Sequence, residues 1–233
     1  MALTEHAHTQ PDTPVLIGEE VVTQIPVLAV EEEMVDLAAV PRLAIDSRMA
    51  EPTGRFRFVR ESVAARLADA AASLPAGLTL LVVEGYRSPL LQRQIFEKHL
   101  EELRNMHEPM PPEELAILAS RFVAPPTGVP PHCSGAAVDL TLAHEDGPEL
   151  EMGTEVNEGP EESDRRCYSA SLDIPEHCRR NRGVLFKALH GQGLINYPTE
   201  WWHWSFGDRY WALQTGAPAA LYGLADGDWL AAP

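Results

Sequence analysis

Basic residues are scarce in this chain. Only 18 lysines and arginines stand against 35 aspartates and glutamates, a formal net charge of −17 at pH 7. Nucleic acids and anionic membrane surfaces need a basic face, so neither is an expected partner. Cysteine is scarcer still. Cys133, Cys167 and Cys178 cannot all pair and lack zinc-knuckle spacing, which excludes a disulfide scaffold and makes a reduced, cytoplasmic setting the simplest expectation. Long apolar runs are missing too. None approaches the roughly 20 residues of a membrane span, and the start of the chain lacks the basic stretch and apolar core of a secretory signal. There is no internal repeat and no boundary to a second domain.

What is present suits one core. A chain of 233 residues, 45% hydrophobic, fits a single domain, expected over 25–215 between a loose N-terminal tail, 1–24, and a lightly packed C-terminal tail, 216–233. His6 and His8 fall in the first tail and read as solvated. Glu31-Glu32-Glu33 reads as a solvated face. Phe56 and Phe58 alternate with Arg55 and Arg57, which predicts a short strand after the Thr53-Gly54 turn. Val59, Val63, Leu67, Ala70 and Leu74 recur at helical spacing, so about 59–74 is an amphipathic helix. The apolar run from Leu78 to Glu84 predicts a buried strand. Ser88 then offers an N-cap and Pro89 a first helical residue, opening a helix to about Arg104 with Leu91, Ile95, Leu100 and Leu103 inward. Pro111 and Pro112 start a further helix to about Phe122. A proline-rich loop, with Pro125, Pro126, Pro130 and Pro131, leads stiffly into His132. A last helix is expected over 178–192, with Val184, Leu185, Ala188 and Leu189 inward.

Two short segments carry chemistry. In the first, His132 precedes Asp139 by seven positions; in the second, Glu200 precedes His203 by three. Two imidazoles and a carboxylate make a ligand set for catalytic zinc, which typically takes three protein ligands and leaves a fourth position for water. Glu200 is then the natural general base. Strand alternation supports the pairing. Over 136–142 it puts Val138, Leu140 and Leu142 on one face and Asp139 on the other; over 202–206 it puts Trp202, Trp204 and Phe206 opposite His203 and Ser205. Asp139 and His203 can therefore point into one cleft from neighbouring strands, with His132 and Glu200 reaching in from loops. Cys133 reads as a bystander thiol and His144 as a solvated histidine. Arg87 ends a strand just before a helix, a place from which a cation can steady an oxyanion. By local pattern alone, an arginine bonded to nearby carbonyls is the plainer reading.

These segments resemble the zinc D,D-peptidases of the M15 type, in particular the D-Ala-D-Ala dipeptidases associated with vancomycin resistance. The matching residues are His132, Gly135, Asp139 and Leu140-Thr141-Leu142; Glu200-Trp201-Trp202-His203; Gly85-Tyr86-Arg87; Met152-Gly153; and Asn181-Arg182. Their order and spacing hold across about 50–210. The resemblance implies an α+β fold, a small antiparallel sheet carrying a zinc site and flanked by helices. It implies one zinc ion on His132, Asp139 and His203, proton transfer by Glu200, and oxyanion stabilisation by Arg87. Its implied partner is a small dipeptide substrate. Some positions depart from the family. Asn157 stands where the dipeptidases carry an acid for the substrate's ammonium, Asp46 falls where they have tyrosine, and Pro130 replaces a serine. Gln92 leans toward the carboxypeptidase branch. The substrate-binding residues are thus expected to be Arg87 and Asn157. Two alternatives stay open: a D,D-carboxypeptidase or amide hydrolase of peptide natural-product metabolism acting on an N-acylated or otherwise different substrate, and a non-catalytic zinc-stabilised binding protein. Retention of Glu200 and Arg87 counts against the last.

Overall fold

A computed structural model describes residues 14–225. In chain order its elements are α1 (Glu20–Thr23), β1 (Met34–Asp36), β2 (Leu43–Ile45), β3 (Phe58–Arg60), α2 (Glu61–Ser73), β4 (Leu78–Glu84), α3 (Pro89–Met106), α4 (Pro112–Ala119), β5 (Ala137–His144), α5 (Glu176–His190), β6 (Ile195–Asn196), β7 (His203–Ser205) and α6 (Arg209–Thr215). Five strands make the main sheet in the order β2-β4-β5-β7-β6; β1 and β3 make a separate antiparallel pair. The fold is α+β, as expected. The sheet is antiparallel except at one edge, where β2 runs parallel to β4. That departure follows from the connection between them, because β3 and α2 form the crossover that parallel neighbours require.

The core lies where the alternation puts it. Val138, Leu140 and Leu142 on one face of β5 are fully buried, and so are Val59, Val63, Leu67 and Ala70 along the strand-to-helix junction of α2. Trp202 and Trp204 join the same cluster, with Phe206 beside them. From α5, Leu185, Ala188 and Leu189 complete it, while Val184 is only half-buried. The N-cap of α3 forms as expected, the Leu91 amide donating to Ser88 Oγ at 3.2 Å.

The buried stripe of α3 is rotated from the expected one. Gln92, Phe96 and Leu103 are buried, whereas Leu91, Ile95 and Leu100 are half-buried. The reason is that α3 does not lie on the main core. It pairs with α4, where Leu115 and Ala119, with Val123 just beyond, form a small cluster with Phe96 and Leu103. The strand expected over Arg55–Phe58 begins only at Phe58, because Arg55–Arg57 turn as a 3-10 helix.

Both expected tails are partly docked. Val22 of α1 is 1% exposed and packs with Tyr197 and Tyr210, so residues 14–24 belong to the domain. At the other end, Ala220 forms a parallel bridge with Val27, and the Leu221 amide donates to the Gly207 carbonyl at 2.7 Å. Tyr222 is buried, and the Ala225 amide donates to the Cys133 carbonyl at 2.9 Å. Composition hid this, since alanine-rich segments pack through small contacts with no amphipathic period. His6 and His8, and the remainder of both expected tails, lie outside the described residues. No helix of the described residues is long and apolar enough to cross a membrane.

The central strand sets stability. Leu140→Ala, at a fully buried position, is expected to cost about 2–5 kcal/mol by urea denaturation. Leu172→Ala, at 80% exposure, is expected to stay within about 0.5 kcal/mol. Equal costs would misplace the core.

Candidate metal centre

Strand register assembles most of the site. Asp139 of β5 pairs with His203 of β7 on one side, and with Glu84 of β4 on the other after a bulge between Val82 and Glu84. Residues opposite one another across a ladder share a face, so the three side chains form one row across three strands. His132 is added from the 3-10 turn His132–Ser134 that follows the proline-rich loop. Gly135 closes that turn at φ 72°, and a Cβ there would meet Met34 Cε at 2.8 Å. The left-handed backbone favours glycine at that point, whereas the Met34 tip could move aside.

Three donor atoms converge. His203 Nδ1 lies 2.9 Å from Asp139 Oδ1 and 3.1 Å from His132 Nε2, and His132 Nε2 lies 3.4 Å from Asp139 Oδ1. Zinc bonds of about 2.0–2.1 Å in tetrahedral array place ligands about 3.3 Å apart, so the triangle fits with slight expansion. The tautomer fits too. His132 Nδ1 is 2.7 Å from the Gly85 carbonyl, which only accepts, so this nitrogen donates and the neutral ring turns a lone pair inward at Nε2. Gly85 lets this segment run close against the β3 backbone: a Cβ on it would stand 2.5 Å from the Phe58 carbonyl. Two imidazole nitrogens and a carboxylate oxygen facing one point fit a divalent cation. His203 Nε2, by contrast, is buried without a partner among the described residues.

Within the triangle the carboxylate and the imidazoles stabilise one another's charge. Burial opposes charge on Asp139, but His132 and His203 outweigh it and hold the carboxyl far below the usual range. Burial pulls His132 down, Asp139 pulls it up more strongly, and the net direction is up. Glu200 sits at the edge of the triangle, with Oε2 4.0 Å from His203 Nδ1. Burial and the Asp139 charge raise its carboxyl well above the usual range, against the pull of Arg87. Burial pushes the Cys133 thiol up to about 12, and His144 is exposed; both match their expected bystander roles.

Arg87 is held by residues the sequence reading did not assign. Its Nε donates to Glu84 Oε1 at 2.8 Å, its Nη2 to Glu84 Oε2, and its Nη1 to Gln92 Oε1 at 3.0 Å. Gln92 is itself fixed by donating to the Ala124 carbonyl at 2.7 Å. The sequence signal was an acid ending an apolar strand, directly before Gly85-Tyr86-Arg87. Asn196 was also missed: its Nδ2 donates to the Glu200 and His203 carbonyls, both at 3.0 Å, and holds the turn that aims both side chains.

One cavity of about 300 Å³ gathers Arg87, His132, Asp139, Asn157, Glu200 and His203. Ile17, Met49, Ile95 and Phe122 give it apolar walls, and Lys98, His99 and Glu102 of α3 a charged edge. Asn157 holds a left-handed backbone at φ 67°. Asp46 is not among the lining residues; it accepts from Arg48 Nη2 at 2.7 Å.

The chain is similar to several known proteins. The chain is 34% identical over 96 residues to a D-alanyl-D-alanine dipeptidase of Synechocystis sp., a stretch covering 38% of this chain and only 39% of that relative. It is 26% identical over 182 residues to the D-alanyl-D-alanine dipeptidase of Escherichia coli, covering 73% of this chain and 83% of the relative. Among solved structures it is similar to the LdcB LD-carboxypeptidase, with TM-score 0.45, 17% identity, and coverage of 83% of this chain and 77% of that one. It is also similar to the vancomycin-resistance D,D-pentapeptidase VanY in complex with Zn(II), with TM-score 0.35, 17% identity, and coverage of 76% and 90%. The model of the M15 peptidases described as D-Ala-D-Ala dipeptidase matches residues 31–217. With most of its length matched, this chain belongs to the M15 D-Ala-D-Ala dipeptidase family.

Proposed function

We propose that this protein hydrolyses the amide bond of D-Ala-D-Ala or a similar small dipeptide at a zinc site. The carrying observation is the convergence of His132 Nε2, Asp139 Oδ1 and His203 Nδ1 within 3.4 Å of one another, with Glu200 and Arg87 lining the same cavity. His132, Asp139 and His203 would hold the ion, whose chemistry when bound is Lewis acidity and a water pKa lowered toward about 7. Glu200, raised by its burial, takes a proton from the attacking water and returns it to the departing amine. Arg87 steadies the oxygen that becomes negative. A guanidinium has five N–H donors; Glu84 and Gln92 take three and fix its plane, leaving two for a substrate oxygen. A cavity of about 300 Å³ suits a dipeptide, since pockets for larger ligands extend to about 1,000 Å³. The cysteines are free and buried, which suits the reduced, cytoplasmic setting proposed for it.

Asn157 supports a second reading. It lines the cavity and is neutral, so it offers no countercharge to a free substrate ammonium. The remaining acid of the lining outside the centre is Glu102, which lies 3.4 Å from Lys98 and 3.6 Å from His99. A D,D-carboxypeptidase or related amide hydrolase acting on an N-acylated substrate would need no such countercharge. A zinc-stabilised binding protein would need neither Glu200 nor Arg87 in the cavity.

Three outcomes are expected. Glu200→Gln keeps its zinc by elemental analysis and loses about 10²–10⁴ in turnover; full activity would remove the proton-transfer role. Arg87→Ala lowers kcat by about 10²–10³ with zinc content unchanged; parallel loss of both would make Arg87 structural. In a dipeptide panel, free D-Ala-D-Ala is cleaved faster than its N-acylated form, whereas the opposite order selects the carboxypeptidase reading.

A further inference from the structure

The described residues hold one other convergent group of three donors: Glu151, His177 and Cys178. His177 and Cys178 lie in the first turn of α5, and Glu151 lies in the loop after β5. His177 Nε2 is 2.6 Å from Glu151 Oε2 and 3.3 Å from Cys178 Sγ, and all three donor atoms fall within 4.8 Å of one another. Neither the family resemblance nor the proposed chemistry uses them.

The donor set selects an ion class. Carboxylate, imidazole and sulfur together suit zinc-like transition ions, while calcium and magnesium prefer all-oxygen sites. Tetrahedral zinc on nitrogen and sulfur puts those ligands about 3.5 Å apart, close to the 3.3 Å of the His177–Cys178 pair. Glu151 sits too near His177 and must draw back by about 0.7 Å to reach that geometry. Its side chain is 79% exposed, so it is free to do so.

The frame is already rigid. Asn181 Nδ2 donates to the Glu151 carbonyl at 2.8 Å, and Arg182 Nε to the Met152 carbonyl at 2.7 Å. The helix that supplies two donors therefore grips the loop that supplies the third. Glu149, Glu155 and Glu158 edge a groove that Glu151 and Cys178 also line, and they favour cations there. Positive groups oppose them: Arg48 pairs with Glu149, Arg166 lines the groove while donating to the Ser163 carbonyl at 2.8 Å, Arg182 acts on Cys178, and the N-terminal end of α5 adds partial positive charge.

We propose that Glu151, His177 and Cys178 form a second metal site, for Zn²⁺ or an ion of like chemistry, that staples this loop to the start of α5. The bland alternative is a surface ion pair beside a buried thiol.

Cobalt separates these, because the catalytic triangle contains no sulfur. The full-length, metal-stripped chain is titrated with Co²⁺ and followed by absorbance and by equilibrium dialysis. The expected result is two equivalents bound, one with a near-ultraviolet sulfur-to-cobalt charge-transfer band. Glu151→Gln and His177→Gln, both at exposed positions, are expected to abolish that band and the second equivalent while the first remains. Cys178→Ser is expected to remove the band as well. A single equivalent without the band would overturn the proposal, as would a band that survives His177→Gln. Because the readout is metal content rather than turnover, failure here is distinct from failure of the dipeptidase reading.

Discussion

One buried negative charge organises this molecule. Asp139 is 2% exposed in the middle of the central strand, where an unpaired carboxylate would cost several kcal/mol (an order of magnitude, about 3–5). Two imidazoles meet it from different segments. Sheet register supplies His203, and a glycine-closed turn supplies His132. A slip of one residue in β5 would send Asp139 into the apolar cluster and Leu140 into the cleft. The hydrophobic core and the candidate metal centre are thus fixed by the same alternation, seen from opposite faces.

A second charge pair extends the row. Glu84 is nearly inaccessible, and its two oxygens meet Arg87 in a bidentate arrangement, the stronger geometry for such pairs. The bulge in β4 and the tight approach at Gly85 serve both parts of the site. They aim Glu84 toward Arg87 and present the Gly85 carbonyl to His132. Positioning of the Arg87 guanidinium and of the proposed metal ligand His132 therefore rests on the end of one strand.

Much of this was legible in the sequence because it depends on local period. The 3.6-residue repeat of α2, the alternation of β5, and the Ser88-Pro89 start of α3 stand where the pattern put them. So do His132, Asp139, Glu200 and His203, which share one cavity. What was not legible depends on tertiary partners. The rotated stripe of α3 reflects its pairing with α4, whose contact face local hydrophobicity does not encode. The docked ends use small residues, short bridges and Val22 against two tyrosines, none of which has a period. Glu84 and Asn196 act by orienting other groups, so no motif of reactive residue types reveals them. Arg87 was readable as a site residue only through family resemblance, because the partner that fixes its guanidinium lies three positions back and is recognisable only once the bulge is seen.

The central claim is that His132, Asp139 and His203 grip a single zinc ion in the catalytic cavity. Crystals of protein loaded with one equivalent of zinc, measured on both sides of the zinc absorption edge, test it directly. The account predicts an anomalous peak about 2.0–2.2 Å from His132 Nε2, His203 Nδ1 and an Asp139 oxygen. A map with no peak among those three atoms, or with the single equivalent bound elsewhere, would contradict it.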